Sequence, residues 1–133
     1  MGVFLIDTQI LIWTLETPSK VSNQIKEILE DLDNEIFISQ ISLFEISIKT
    51  SIGKIKVDKK INDWVKSIKA SSISILPIEI SHFKCFEQLP IYKIHKDPFD
   101  RLIIATAIAE GFTLISSDQN FPLYQPELSL IQV

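Results

Sequence analysis

The sequence predicts an α/β fold, with a mostly parallel central sheet of four or five strands and helices on both faces. Three observations carry that prediction. Short apolar runs recur along the chain, with the length and β-branched content of strands buried on both sides. Segments with apolar residues at helical spacing stand between them. The alternation implies right-handed strand–helix–strand units, which generate a parallel sheet.

Val3-Phe4-Leu5-Ile6 is the first run and ends at Asp7. Ile10, Leu11, Trp13 and Leu15 continue as a short helix that Pro18 breaks. A better helix opens at Ser22, whose hydroxyl suits an N-cap, and carries Ile25, Ile28, Leu29 and Leu32. Glu35 to Ser39 is the second strand, followed by a helix from Gln40 to Ile52 that stops at Gly53. Asn62 to Ala70 is helical, and Ile73 to Leu76 is a third strand closed by Pro77. A short helical piece near Ser81 to Gln88 and a loop around Pro90 follow. Asp97-Pro98 then opens the strongest helix, which runs to Glu110 and ends at Gly111. An accepting side chain, a ring that fixes φ and a terminal glycine mark its two ends. Thr113 to Ser116 is the fourth strand, and Leu128 to Val133 adds a fifth at the edge.

With 133 residues, the chain suits one domain over residues 1–133, with a single core. Its 46% hydrophobic and 23% charged residues are ordinary for a soluble globular protein. No apolar stretch approaches the roughly 20 residues that span a bilayer. The start MGVFLID lacks the basic region and cleavage site of a leader, so a cytoplasmic location is expected. The single cysteine, Cys85, has no internal partner and sits by Phe83 and Phe86, which suits a reduced core thiol. A net charge of −4 argues against a broad basic face for nucleic acid, though a local lysine cluster can still meet phosphates.

Four carboxylates have informative positions: Asp7, Glu45, Asp100 and Asp118. In an open α/β sheet, ligands bind outside the carboxyl ends of the strands. Asp7 directly follows the first strand and Asp118 lies just past the fourth. Crossover helices begin at that same edge, so Asp100 in a first helical turn and Glu45 near the start of another reach it too. Glu45 interrupts the stripe of Ile41 and Ile48, and Asp100 starts a row with Ile103, Ile104 and Ala107. A charge on a core-facing stripe needs a partner or a metal. Oxygen-only ligands select magnesium or manganese.

Each acid also has a plainer explanation. Asp7 can cap the helix beginning near Thr8, and Asp100 can be the third-position acid of a capping box. Asp118 can be a turn residue, and Glu45 has Lys49 at ion-pair spacing. Asp97 is read as an N-cap rather than a ligand.

The segments Leu5-Ile6-Asp7-Thr8, Ser42-Leu43-Phe44-Glu45-Ile46-Ser47-Ile48-Lys49, His95-Lys96-Asp97-Pro98-Phe99-Asp100-Arg101-Leu102 and Leu114-Ile115-Ser116-Ser117-Asp118 closely resemble the PIN-domain family. Within it the chain resembles VapC-type toxins of the branch with an H-x-D-P-F-D-R motif. The likeness spans nearly the whole chain in the family's order. It implies a PIN-like three-layer α/β/α fold and a metal-dependent endoribonuclease, often held inactive by a cognate small antitoxin. The family's acidic residues match Asp7, Glu45, Asp100 and Asp118; Thr8 matches a hydroxyl residue beside the first acid, and Ser117 is expected to give similar support. Thr106 departs from relatives that often carry glutamine there. The resemblance also implies a homodimer, for which the stripes at Ile25 to Leu32 and Ile61 to Ile68 offer surfaces unless they pack on the sheet.

Phosphodiester hydrolysis needs an activated water, neutralised phosphate oxygens and a stabilised leaving oxygen, all of which Mg2+ or Mn2+ can supply. Asp7 and Asp100 are expected as central ligands, with Glu45 and Asp118 completing the site or orienting the water. No GxxxxGK loop or cysteine–histidine cluster offers another chemistry. His95 is a substrate contact or a loop residue, and Arg101 pairs with an acid or meets phosphate. Lys54, Lys56, Lys59 and Lys60 either contact RNA or are a solvated face. Trp13 and Trp64 suit packing better than base stacking. The competing readings are a phosphoryl-transfer domain using Asp7, a stand-alone PIN nuclease in RNA processing, and a non-catalytic PIN-fold interaction module.

Overall fold

A run of four apolar residues offers water nothing on either face, so Val3–Ile6 needs cover on both sides and strands along both edges. It receives both. In the computed structural model, which describes residues 1–55 and 58–133, this strand (β1) is the centre of a five-stranded parallel sheet. Its companions are β2 (Glu35–Ser39), β3 (Ile73–Leu76), β4 (Thr113–Ser116) and β5 (Leu130–Gln132), in the order β3-β2-β1-β4-β5. Leu5 pairs in register with Phe37 on one side and Leu114 on the other.

Among the described residues, six α-helices connect the strands: α1 (Thr8–Glu16), α2 (Asn23–Glu30), α3 (Gln40–Ser51), α4 (Ile61–Ala70), α5 (Ile80–Gln88) and α6 (Pro98–Glu110). Successive strand residues point to opposite faces, and the core divides accordingly. Ile6 and Ile115 pack with Ile10, Leu11, Ile25, Ile46, Trp64 and Ile68 of α1 to α4. Leu5 and Leu114 face the other way, onto Ile103, Ile104 and Ala107 of α6 and onto Phe121 and Tyr124. The result is three layers, with α5 and α6 together on the second face.

The helix ends follow their sequence signals. Ser22 accepts a hydrogen bond from Ile25 N, Ser39 from Ile41 N, and Asp97 from Phe99 N and Asp100 N. Gly53 and Gly111 take the left-handed conformation just past α3 and α6, with φ of 76° and 71°.

Several expectations need correction. Leu32 is not on the apolar stripe of α2 but 92% exposed, because Asp31 ends the helix and accepts from Asp33 N in a tight turn. Of the two stripes considered for dimerisation, Ile25, Trp64 and Ile68 pack fully in the core, whereas Ile28 and Leu29 are half-buried and Ile61 is exposed. Cys85 is a free, half-buried thiol packed at the margin of the second core cluster, while Phe83 is exposed. Thr106 is buried and turns its hydroxyl to Leu102 O within α6. Of the lysine cluster, Lys59 is tied to Glu16 at 3.5 Å and lies over the Trp64 ring, Lys54 is exposed, and Lys56 lies outside the described residues. No helix among the described residues is long and apolar enough to cross a membrane.

Candidate active site

Strand order reverses at β1: its sequence successor β2 lies on one side and β4 on the other. The loops leaving β1 and β4 therefore diverge and leave a crevice at the carboxyl edge of the sheet. A cavity of about 410 Å³ opens there, lined by Asp7, Thr8, Gln9, Trp13, Glu45, Lys49, Asp97, Asp100, Ser117 and Asp118. All four expected carboxylates thus share one cavity, although residues 7 and 118 are far apart in the chain.

Asp7 directly follows β1 and caps α1, and it is buried. Its Oδ1 accepts from Ile10 N at 2.9 Å, and its Oδ2 accepts from the Ser116 hydroxyl. The capping role and the cavity position therefore coexist, because a carboxylate has about four acceptor sites and these bonds occupy two. Ser116 Oγ in turn accepts from Asp118 N at 3.0 Å, so a single hydroxyl joins the first and fourth acids. Support expected from Ser117 comes instead from its neighbour. Ser117 lines the cavity, but among the described residues it makes no hydrogen bond to an acid.

Glu45 is buried one turn into α3. Thr8 Oγ1 lies 2.6 Å from Glu45 Oε1 and 2.8 Å from Ser42 Oγ. The threonine has one proton, so when it donates to the carboxylate the serine donates to it. Glu45 Oε2 pairs with Lys49 Nζ at 3.1 Å. The ion pair suggested by spacing is present, but it lies at the cavity rather than on a remote solvated face. Lys49, Ser42 and Ser116 were not singled out as site residues in the sequence. Only Lys49 had a usable signal, being the one cation four residues from a stripe-breaking glutamate.

Asp100 sits in the first turn of α6 and does not reach back as a capping-box acid. Its Oδ2 meets His95 Nε2 at 3.3 Å. His95 is buried behind it rather than open to substrate, with Nδ1 2.9 Å from Tyr124 Oη. His95, Asp100 and Asp118 each offer a ligand atom within 4.8 Å of the others, while Asp7 and Glu45 line the same cavity outside that group. Asp118 also has its turn role, since its Oδ1 accepts from Asn120 N. Arg101 points away: it donates to Pro90 O and lies over the Phe86 ring, and it makes no salt bridge among the described residues. Trp64 is core, whereas Trp13 is half-buried and forms part of the cavity wall.

Burial and crowded like charge show in the acid equilibria. Burial pushes Asp7 up to about 6 despite the opposing bonds from Ser116 and Ile10 N, with Asp118 and Glu45 adding repulsion. Asp100 is pushed up to about 8, by burial first and then by Asp97, Asp118, Glu45 and Asp7. His95 is lowered by burial, which outweighs the pull of Asp118 and Asp97. Carboxylates in this state gain from a cation placed among them, and all-oxygen donors with one nearby imidazole fit a hard divalent ion.

The family model of the PIN domain matches residues 4–125. Ribonuclease VapC22 of Mycobacterium tuberculosis is 28% identical over 119 residues, covering 90% of this chain and 89% of that protein. Among solved structures, VapBC2 from Rickettsia felis bound to a DNA fragment from its promoter superposes with a TM-score of 0.71 at 24% identity, covering 98% of each chain. FitAcB from Neisseria gonorrhoeae gives 0.68 at 18% identity, covering 97% of this chain and 96% of that one. A toxin–antitoxin complex from Klebsiella pneumoniae gives 0.63 at 21% identity, covering 96% and 95%. The chain belongs to the PIN-domain family.

Proposed function

We propose that this PIN-domain chain is a metal-dependent endoribonuclease, the toxin of a toxin–antitoxin pair, acting as a single domain over residues 1–133 in the cytoplasm. The observation that carries the reading is the gathering of Asp7, Glu45, Asp100 and Asp118 around one cavity at the strand-order reversal. The name of the relative, Ribonuclease VapC22, and the toxin–antitoxin complexes among similar structures support the substrate class and the partner.

Asp7 and Asp100 would hold Mg2+ or Mn2+, with Asp118 and Glu45 completing the set directly or through water. When bound, such an ion neutralises phosphate oxygens, lowers the pKa of a water and steadies the leaving oxygen. The chain's own groups do the positioning. Ser116 fixes Asp7 against the loop that carries Asp118, and Thr8 fixes Glu45. Either Glu45 or Asp118 orients the attacking water and takes its proton. Lys49 Nζ, held at the cavity by Glu45, is a cation for a phosphate of the bound RNA. Thr8 and Ser116 support this machinery, whereas His95 and Arg101 do not meet the substrate.

The partner is a small protein, and an arginine from it suits an acidic cleft because a guanidinium pairs bidentately with carboxylates. Dimerisation, which the resemblance implies, would not use Ile25, Trp64 or Ile68, which the core of one chain already buries. The test is to map RNA 5′ and 3′ ends after controlled expression of the parent and of Asp7→Asn, with and without the neighbouring small open reading frame. New ends that need Asp7 and vanish on co-expression support the proposal. Identical end maps from parent and variant refute RNA cleavage at this site. Cleavage with no associated or inhibiting neighbour leaves a stand-alone nuclease.

A further inference from the structure

We infer that His95 is a positioning residue for Asp100, held in the required tautomer by the hydroxyl of Tyr124; the inference deepens the nuclease reading and rests on it. His95 and Tyr124 are only 4% and 2% exposed, so their polar hydrogens need protein acceptors. Tyr124 Oη lies 2.9 Å from His95 Nδ1, which is its one acceptor among the described residues. If Nδ1 carried the ring proton, the tyrosine proton would be buried without a partner. Nδ1 therefore accepts from the tyrosine, and Nε2 carries the hydrogen and donates to Asp100 Oδ2 at 3.3 Å. Edge-on contacts with Phe121 and Tyr124, at ring separations of 5.7 and 5.5 Å, hold the imidazole plane.

The tautomer decides what the histidine does. Its nitrogen lies within 4.8 Å of ligand atoms of Asp100 and Asp118, close enough to suggest direct ligation of a cation. A metal ligand needs a bare nitrogen, and the nitrogen facing the acids is the one bearing hydrogen. His95 thus fixes one oxygen of Asp100 and leaves the other for a cation. Tyr124 belongs to the turn Phe121–Tyr124 that follows Asp118, and Asp100 starts α6. The Tyr124–His95–Asp100 chain therefore sets the spacing of two acids that come from separate elements.

The test measures Mn2+ affinity by calorimetry and nitrogen coupling to bound Mn2+ by electron spin echo, for the parent, His95→Ala, His95→Gln and Tyr124→Phe. His95→Ala should weaken affinity by about 10- to 100-fold, the usual effect of losing a residue that orients a ligand. Tyr124→Phe removes one oxygen and keeps the ring contacts, so it folds and should weaken affinity in the same direction. His95→Gln, which keeps an N–H toward Asp100, should recover most of the loss, and no imidazole coupling should appear. Parent-like affinity in both His95→Ala and Tyr124→Phe, or an imidazole nitrogen coupled to bound Mn2+, overturns the inference. A parent that binds Mn2+ without cutting RNA refutes the nuclease reading while these affinities still judge His95; a parent that binds no Mn2+ overturns both.

Discussion

Replacing Asp7 with asparagine should make the metal-free protein more stable near neutrality while removing its response to metal. The folded chain holds this carboxyl at about 6 against an ordinary 3.8. A raised acid binds more protons folded than unfolded, so its contribution favours folding at low pH and is lost as pH rises from about 4 to about 6. At about 1.4 kcal/mol per unit, the ionised group costs the folded state about 3 kcal/mol at pH 7. Asparagine resembles the protonated acid and still caps α1 through Ile10 N. Its amide matches the Ser116 hydroxyl less well than a carboxylate does, at a cost of about 1 kcal/mol. Asp7→Asn should therefore be about 2 kcal/mol more stable than the parent at pH 7 in chelator, with the gain gone near pH 4. Asp100 titrates in both chains, so the difference between them isolates Asp7 to first order. Urea unfolding from pH 4 to 8 reads the effect directly. Adding Mn2+ at 100 times its Kd should then stabilise the parent by about 2.7 kcal/mol and the variant far less. A variant less stable than the parent at pH 7, a difference that does not change with pH, or equal stabilisation by Mn2+ would refute the reasoning.

Asp100, held at about 8, is protonated in the metal-free protein at pH 7, so Mn2+ binding should release protons and tighten as pH rises toward 8; calorimetry in buffers of different ionisation enthalpy counts them. Ser116→Ala should cost about 1–3 kcal/mol in urea unfolding, because Asp118 N loses its acceptor, and should raise the Asp7 pKa further, because that carboxylate loses a donor. Asp97→Ala should cost about 1 kcal/mol of stability as a lost N-cap while the folded protein keeps its Mn2+ affinity; loss of affinity at unchanged stability would make Asp97 a ligand.

The parts of the fold legible in the sequence are those whose signals are local. The apolar run before Asp7 and the Asp97-Pro98 to Gly111 frame each declare an element without reference to anything distant. Leu32 misleads because helical spacing continues past the point where the Asp31 side chain turns the backbone aside. Within the site, the four acids could be placed on one edge from topology alone, but their supports could not. Ser116 rather than Ser117 reaches Asp7 because alternate residues at a strand end face opposite ways, and a one-residue difference in register is invisible without the neighbouring strand. Arg101 and His95 depend on what packs around them: Phe86 and Pro90 draw the arginine away, and Tyr124 encloses the histidine. Those partners lie 11 to 29 residues away in sequence, beyond any periodic pattern.

The central position of β1 also bears on when a growing chain acquires its acidic cleft. The serine that holds Asp7 ends the strand beside it and comes 109 residues after it in the chain. A ribosome adding about 5–20 residues per second needs about 5 to 20 seconds to cover that gap. Once β2 is made, β1 has a partner on that edge and none on the other until β4 follows, and Asp118 comes later still. A nascent chain therefore cannot assemble the four-acid cleft until the segment from Ser116 to Asp118 has been made. A chain cut short before Ser116 would lack Asp118 and the hydroxyl that joins the first and fourth acids, and so could not form the cleft.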